Sequence, residues 1–273
     1  MLKQHIKHAL CTATLMLICG MAFGQIASTK HNLTSTGPGP NRTSSTDQIC
    51  VFCHTPHGGQ TATAVPLWNK QLPTTTYTLY SQLNTSTLNG QILPVGSVSL
   101  ACLSCHDGTQ AMDNIINAPG SGGFNTTGGG AGGLSFTWTS GADTLTGTPF
   151  PNLGADLRDD HPVGIQYCGG GLTGATTVVS GNCTNPDFQR SGVQTKVVNG
   201  NQVFWVDTAG GTAAVREKTD IALYTRTFTA GSGPSVECGS CHDPHVATKG
   251  TDNMNFMRVT LAGSQICLSC HVK

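Results

Sequence analysis

The clearest pattern of alternating apolar and polar positions lies in the second half of the chain. The segment Lys196–Gly200, which ends in the turn sequence Asn-Gly, is followed by the apolar run Val203–Val206, and together they predict a β-hairpin. Ile221–Thr229 alternates enough to predict another short strand. The Gly-rich stretch Gly120–Gly133 predicts an irregular loop. Regular structure is therefore expected in short pieces.

The start of the chain has the features of a secretory signal. Two lysines precede a short apolar stretch, Ala9–Phe23, and Ala22-Phe23-Gly24 provides a small-x-small cleavage site before Gln25. The apolar stretch is short for a membrane-spanning helix. We therefore expect residues 1–24 to be removed and the mature protein to be exported, with no later membrane span. A membrane anchor and a lipoprotein modified at Cys19 are the alternatives.

Composition narrows the class of protein further. Of the 273 residues, 10% are charged and 6% aromatic, and the chain contains 35 Gly and 13 Pro. Large apolar side chains are too sparse for an ordinary all-peptide core, which indicates either disorder or a core organised around a bound group. The formal net charge is zero, so no basic surface for binding nucleic acid is indicated.

Four Cys-x-x-Cys-His motifs decide between these possibilities. Two thiols one helical turn apart can bond to both vinyl groups of one porphyrin, and the following imidazole can ligate its iron. Two zinc sites with four cysteines each are the alternative, but zinc does not require a histidine after each pair. We therefore predict four covalently attached haem c groups. The attaching cysteines are Cys50, Cys53, Cys102, Cys105, Cys238, Cys241, Cys267 and Cys270, and the proximal iron ligands are His54, His106, His242 and His271.

Two further cysteines, Cys168 and Cys183, lie outside these motifs. In an oxidising compartment such a pair is expected to form a disulfide. The bridge would close a loop of about 15 residues and stabilise the fold by roughly 3 kcal/mol. Two unpaired thiols are the alternative.

The remaining histidines provide the predicted sixth ligands, one for each iron. They are His31, His57, His161 and His245. Any one of them taken alone has a surface or core role as its ordinary interpretation, and Met112, Met254 and Met257 are alternative axial ligands. Because the number of histidines matches the number of irons, we predict bis-histidine coordination at all four.

The spacing of these histidines indicates which haems they serve. His57 and His245 each follow a motif histidine by three residues, and three residues of extended chain span only about 10 Å. That is too short to pass around a macrocycle, so we expect each to ligate a neighbouring haem. His31 lies in a polar arm that could reach its own chain's haem or that of a neighbouring subunit. Pro162 restricts His161 to extended conformations, which suits a presented ligand.

These assignments divide the chain into three parts. Residues 1–24 are the predicted signal, 25–49 an N-terminal arm, and 50–273 a tetrahaem domain with a Gly-rich insertion at about 113–230. The predicted fold class is a multihaem cytochrome c, mostly irregular coil with short helices at the haem motifs and a few short β-hairpins. Its core is expected to be built from four haems, so the haem-free chain is expected to be largely unfolded.

The motifs also carry a resemblance to a known family. An exported chain with four of them, two extended to Cys-x-x-Cys-His-x-x-His, resembles the extracellular multihaem cytochromes of metal-reducing bacteria, and among these the OmcE-type cytochrome nanowires. The resemblance covers the motifs, the arm and the low-complexity connections. It implies an unbroken chain of bis-His haems and a head-to-tail homopolymer in which one histidine crosses the subunit boundary. By motif position His31 is the candidate for that ligand. Soluble periplasmic relatives share the motifs.

Three functions are compatible with these features. The leading hypothesis is electron transfer along the haems, in a subunit of an extracellular or cell-surface filament that delivers electrons to other redox proteins or external metal acceptors. A soluble periplasmic tetrahaem shuttle is the second. A multihaem reductase is the third, and it needs an iron with an open face. Because bis-His coordination leaves no open face, no enzymatic activity is expected.

Overall fold

The computed structural model describes residues 25–121, 135–147, 151–208, 215–246 and 256–272. The predicted signal, Met254 and most of the Gly-rich stretch lie outside these residues. Among the helices of the described segments, none is long and apolar enough to cross a membrane.

Antiparallel β-structure dominates residues 165–236. The strands described there are β1 (Ile165–Gln166), β2 (Thr173–Ala175), β3 (Val178–Ser180), β4 (Val193–Val198), β5 (Asn201–Val206), β6 (Ile221–Phe228) and β7 (Gly231–Val236). Five of them pair in the spatial order β1-β7-β6-β5-β4, and β2 pairs with β3 in a separate hairpin. The prediction of a few short hairpins therefore underestimated this sheet.

The predicted hairpin is confirmed as strands β4 and β5. Its register closes on the pair Val198 and Asn201. Asn199 and Gly200 both have positive φ, 50° and 79°, as the two central residues of a type I′ turn require. The strand predicted at 221–229 is also confirmed, as β6.

Strand β7 has a sequence, Gly-Ser-Gly-Pro-Ser-Val, that does not favour a strand. It lies between β6 and the short β1, which pairs only with its last two residues, Ser235 and Val236. The Val236 carbonyl accepts a hydrogen bond from Gly164 on the β1 side. Alternate residues of a strand direct their backbone groups to the same side, so the backbone nitrogen of Pro234 is on the β1 side, at a position to which β1 does not extend. The strand therefore tolerates a residue that has no N–H to donate.

The sheet has an apolar core of its own, to which the predicted disulfide belongs. Cys168 and Cys183 are disulfide-bonded, with Cα atoms 5.2 Å apart. This core differs from the expectation of a haem-built interior, because large apolar residues are concentrated in this part of the chain. The buried members are Tyr167, Cys168, Leu172, Val193, Phe204, Val206, Ile221, Leu223, Val236 and Ile266.

Short helical segments coincide with all four haem motifs, as predicted. The first motif begins on a 3₁₀ turn (Ile49–Phe52), and the second ends helix α1 (Ser97–His106). The third forms helix α2 (Cys238–Cys241), and the fourth begins on helix α3 (Gln265–Leu268). Gly239 allows α2 to lie against β6, because a Cβ there would overlap the Tyr224 hydroxyl.

The N-terminal arm is folded rather than extended. Asn32 is buried, and its side-chain oxygen accepts hydrogen bonds from both the N–H and the hydroxyl of Thr34. The N–H of the fully buried Thr43 donates to the Leu33 carbonyl at 2.8 Å. Leu33 in turn packs against a small apolar cluster formed by Phe52, Met112 and Trp138. These contacts hold His31 at a defined position.

Candidate haem-binding sites

The four motifs share one local geometry. The N–H of the motif histidine donates to the carbonyl of the first cysteine in the first, third and fourth motifs, at 2.8, 3.0 and 2.9 Å. In the second motif the same residues form the last turn of α1. All eight motif cysteines are free thiols. Each motif thus presents two thiols on one helical turn followed by an imidazole, which is what attachment of a c-type haem requires.

The same structure disfavours the zinc interpretation. Within the described residues, which include every motif cysteine, the only group of three or more ligand atoms close enough to share a metal ion is Asp207, Glu217 and Asp220. That group contains no cysteine. A four-cysteine zinc site would need two motifs to converge on one point, and the described motifs do not do so.

Within the described residues, imidazole rings approach each other at two places, at a spacing that suits iron. Two imidazoles on opposite faces of one iron have centroids about 6 Å apart, because each metal–nitrogen bond is about 2 Å long and the ring centre lies about 1 Å behind the nitrogen. His54 and His245 have centroids 6.0 Å apart and planes inclined by 22°. His31 and His106 have centroids 6.1 Å apart and planes inclined by 83°.

Each of these two pairs combines one motif histidine with one of the predicted distal histidines. His245 lies beside His54 of the first motif, which is compatible with the prediction that it serves a haem other than that of His242. His31 lies beside His106 of its own chain, where its ring also stacks on Phe256 at 4.3 Å. Of the two positions expected for His31, the structure shows the one within its own chain, and the expected contact with a neighbouring subunit stays a prediction.

Hydrogen bonds fix the orientation of these imidazoles. The Nδ1–H of His54 donates to the Pro66 carbonyl at 2.9 Å, and that of His106 to the Pro151 carbonyl at 2.8 Å. The Nδ1 of His245 lies 3.3 Å from a carboxylate oxygen of Asp243. Such contacts leave Nε2 as the unprotonated nitrogen, which is the arrangement of most histidine ligands.

The protonation state of His31 also suits a metal ligand. Burial, reinforced by the positive charge that His106 would carry nearby, lowers the pKa of His31 to about 4. The ring is therefore neutral at physiological pH, and only a neutral imidazole can bind a metal ion.

The other predicted ligands occupy more varied surroundings. His57 and His161 are exposed, and the described residues offer neither of them an imidazole partner. The Nδ1–H of His161 donates to the Pro162 carbonyl at 3.1 Å. His242 pairs with Met257 in an isolated β-bridge. The ring of His271 lies 4.3 Å from that of Phe188.

Cysteines of successive motifs lie close to one another. Burial raises the pKa of the Cys53 thiol to about 12, and the neighbouring Cys105 of the second motif adds to the rise. A hydrogen bond links Cys102 to Cys238 of the third motif.

The third and fourth motifs are linked in the same way. Burial raises the pKa of Cys270 to about 12, and Cys241 contributes to it. Each motif is thus a neighbour of the next one along the chain.

A buried polar network joins the second and third motifs. One carboxylate oxygen of Glu237 accepts from the Ser99 hydroxyl at 2.6 Å, and the other accepts from the Arg226 guanidinium at 2.7 Å. The Ser99 oxygen accepts in turn from the Cys238 N–H at 3.0 Å. Because Ser99 lies on α1 and Glu237 directly precedes α2, this network fixes the position of the second motif relative to the third.

A second ion pair supports the segment that carries His245. The Arg258 guanidinium is buried and donates to Asp243, Gly239 and Lys218, the last two through their carbonyls. Burial acts to raise the pKa of Asp243, but hydrogen bonds from His245 and the charge of Arg258 outweigh it and lower the pKa to about 2.

Sequence reasoning did not identify these supporting residues. Asp243 offered a weak signal, since it lies inside the His-x-x-His run. Neither Glu237 nor Arg226 offered one, because their meeting depends on the pairing of β6 with β7.

Comparison with known proteins adds no relative. No protein-family model matches the chain, and no curated protein matches its sequence. The functional argument therefore rests on the motifs and on their geometry.

Proposed function

We propose that this protein is an electron-transfer protein that holds four covalently attached c-type haems, each with two histidines on its iron. The observation that carries the proposal is the pair of imidazole contacts at 6.0 and 6.1 Å. Each contact joins a motif histidine to a histidine that the sequence assigns as a distal ligand. Each contact also has the spacing that two imidazole ligands of one iron would have.

The residues that would hold the haems follow from these contacts. The cysteines of each motif would supply two thioether bonds. His54 with His245, and His31 with His106, would be the axial ligands of the haems at the first and second motifs. His242 and His271 would be the proximal ligands of the other two haems, and His57 and His161 are the candidates for their distal ligands. When bound, the haems supply one-electron redox chemistry.

The protein's own residues favour a carrier over an enzyme. A histidine on each face of an iron leaves no position for a substrate. The His31 ring is largely buried, stacked on Phe256 and held by the folded arm, so water has little access to that ligand. We therefore propose no bond-making or bond-breaking reaction.

The location and assembly of the protein are proposed on the resemblance and on the predicted signal. We propose export, with an extracellular or cell-surface role as a filament subunit that passes electrons to other redox proteins or to external metal acceptors. The second candidate is a soluble periplasmic shuttle. The contact of His31 with His106 in the same chain is the arrangement that the shuttle would use, because no ligand then crosses a subunit boundary.

The experiment that tests the proposal begins with the mature protein. Its mass and absorption spectrum are expected to correspond to four covalently bound haems with low-spin iron. In His31→Ala, one of the four haems is expected to become high-spin by electron paramagnetic resonance, because its iron loses one ligand. Lys30→Ala, which changes the exposed neighbour of His31, is the matched control and should stay low-spin.

Two outcomes contradict parts of the proposal. A mature protein without covalent porphyrin, or with zinc at the motif thiols, contradicts the haem assignment as a whole. A fully low-spin His31→Ala contradicts the ligand role of the arm. Gel filtration and electron microscopy of native material separate the filament from the shuttle.

A further inference from the structure

The two imidazole pairs differ in the angle between their rings. The planes of His54 and His245 are inclined by 22°, and those of His31 and His106 by 83°. An axial imidazole interacts with the iron d orbital that lies perpendicular to its plane. Two nearly parallel rings therefore act on the same orbital, and two nearly perpendicular rings act on different ones. The geometry of the ligands would thus give the first and second haems different electronic structures.

Hydrogen bonds orient three of these four rings, but not the ring of His31. His54 and His106 each donate from Nδ1 to a backbone carbonyl, and Nδ1 of His245 lies 3.3 Å from a carboxylate oxygen. The Nδ1 of His31 is buried, and no described residue forms a hydrogen bond with it. The backbone of His31 is held, because its N–H donates to the Thr29 hydroxyl at 3.2 Å. Rotation of the ring about its Cβ–Cγ bond is not restricted by that bond.

The ring of Phe256 restrains His31 instead. The two rings are stacked, with centroids 4.3 Å apart and planes inclined by 13°. Turning the imidazole by a right angle would bring its edge to about 3 Å from the phenyl ring, which is closer than the contact distance of about 3.5–4.0 Å between carbon atoms. The phenyl ring therefore keeps the imidazole parallel to itself, and so nearly perpendicular to the ring of His106.

The backbone around Phe256 fixes the position of its side chain. Its φ of 61° lies in the left-handed region, which bulky residues rarely adopt. The Phe256 carbonyl accepts from the Asp243 N–H at 2.9 Å, and the Arg258 N–H donates to the Cys241 carbonyl at 2.8 Å. Segment 256–258 is thus bonded to the end of the third motif. Such a conformation persists only where the surrounding structure maintains it, and it is common at functional sites.

We propose that Phe256 is a positioning residue for the haem attached at Cys102 and Cys105, and that it holds the His31 ring nearly perpendicular to the ring of His106. The inference rests on the proposed function. Perpendicular ligands leave two iron orbitals nearly equal in energy, and oxidised low-spin iron then gives an electron paramagnetic resonance signal at a large g value. Parallel ligands separate the orbitals and give a rhombic signal with a smaller maximum g value. The second haem is therefore expected to produce a large-g signal.

The test is electron paramagnetic resonance of the oxidised, full-length, haem-loaded protein. The unmodified protein should show the large-g signal, and His31→Ala should lose it, which assigns the signal to the second haem. Phe256→Leu removes the stacked ring, so the large-g signal should be replaced by a rhombic one while the iron stays low-spin. Phe256→Tyr keeps the ring and should retain the large-g signal.

Phe136→Leu is the matched control. It makes the same change in a ring whose described aromatic contacts are with Phe52 and Trp138, and it should leave the large-g signal unchanged.

Four outcomes contradict the inference. They are an unchanged large-g signal in Phe256→Leu, loss of that signal in Phe256→Tyr, loss of it in Phe136→Leu, and an unmodified protein with four low-spin haems but no large-g signal. Loss of haem loading in both Phe256 variants would also contradict it, because Phe256 would then serve folding. These results differ from failure of the proposed function, in which the unmodified protein itself carries no covalent haem.

Discussion

The β-sheet region and the haem-motif region are stabilised in different ways. An apolar cluster of ten buried residues, nine of them within 165–236 and the tenth Ile266 from α3, stabilises the sheet together with a disulfide. The region around the first two motifs has a cluster of only three buried members, Phe52, Met112 and Trp138. Its other buried side chains are mostly polar and bonded to backbone groups, as Asn69 and Lys70 illustrate.

The difference indicates which part of the molecule would depend on the proposed haems for its stability. A region with an apolar core gains most of its stability from burial of its own side chains. A region with few apolar contacts cannot offset the loss of chain entropy in that way. The expectation that the haem-free chain is largely unfolded therefore applies to the motif region and not to the sheet.

The largest predicted effect comes from removing the haems. A full-length variant with all eight motif cysteines replaced by alanine is expected to lose the folded structure of residues 25–121 and to keep the sheet. Limited proteolysis followed by mass spectrometry checks this, because a protected fragment containing residues 165–236 should persist while the N-terminal part is degraded.

The haem-loaded protein treated with the same protease is the matched control, and it should be protected in both regions. Equal degradation of both regions in the cysteine-free variant would contradict the comparison. So would equal protection, which would mean that the motif region folds without its cofactor.

The second prediction concerns the network that couples the two regions. Glu237→Gln should destabilise the haem-loaded protein by about 3–5 kcal/mol, because it leaves Arg226 without its buried partner. The Glu237 side chain is 0% exposed and that of Arg226 18%. Denaturant unfolding followed by haem absorption measures the change, and spectra of the second and third haems should change with it.

Asp156→Asn provides the control for this substitution. It makes the same chemical change in an ion pair with Arg158, but there the two side chains are 54% and 44% exposed. Exposed pairs contribute little to stability, so this variant should unfold like the unmodified protein. Similar losses in both variants would mean that the Glu237 network does not couple the regions.

The same contrast explains what could be predicted from the sequence. The β4–β5 hairpin and β6 carry local signals, an Asn-Gly turn and regular alternation, and both were predicted. The disulfide was predicted from the count of cysteines, and the helical turns from the spacing of the motifs. Strand β7 was not predicted, because its Gly and Pro residues do not favour a strand and it forms only through pairing with β6 and β1.

In the candidate site too, features that depend on local spacing were predicted, and features that depend on distant contacts were not. The spacing predicted that His245 would serve a haem other than that of His242, and the structure places His245 beside His54. The partner of His31 could not be derived, because it depends on how Asn32 and Thr34 fold the arm. Phe256 gave no signal, since its contact with His31 depends on how distant parts of the chain meet.

The smallest predicted effect is confined to the sheet. The double variant Cys168→Ser with Cys183→Ser should destabilise residues 165–236 by about 3 kcal/mol, the contribution expected for a bridge that closes a loop of about 15 residues. Hydrogen exchange of the β4–β7 amides measures this change. The low-spin spectra of the haems held by His54 and His31 should be unaltered, since neither ligand contacts the disulfide. Faster exchange in the arm around His31, to the same degree as in the sheet, would contradict the separation of the two regions.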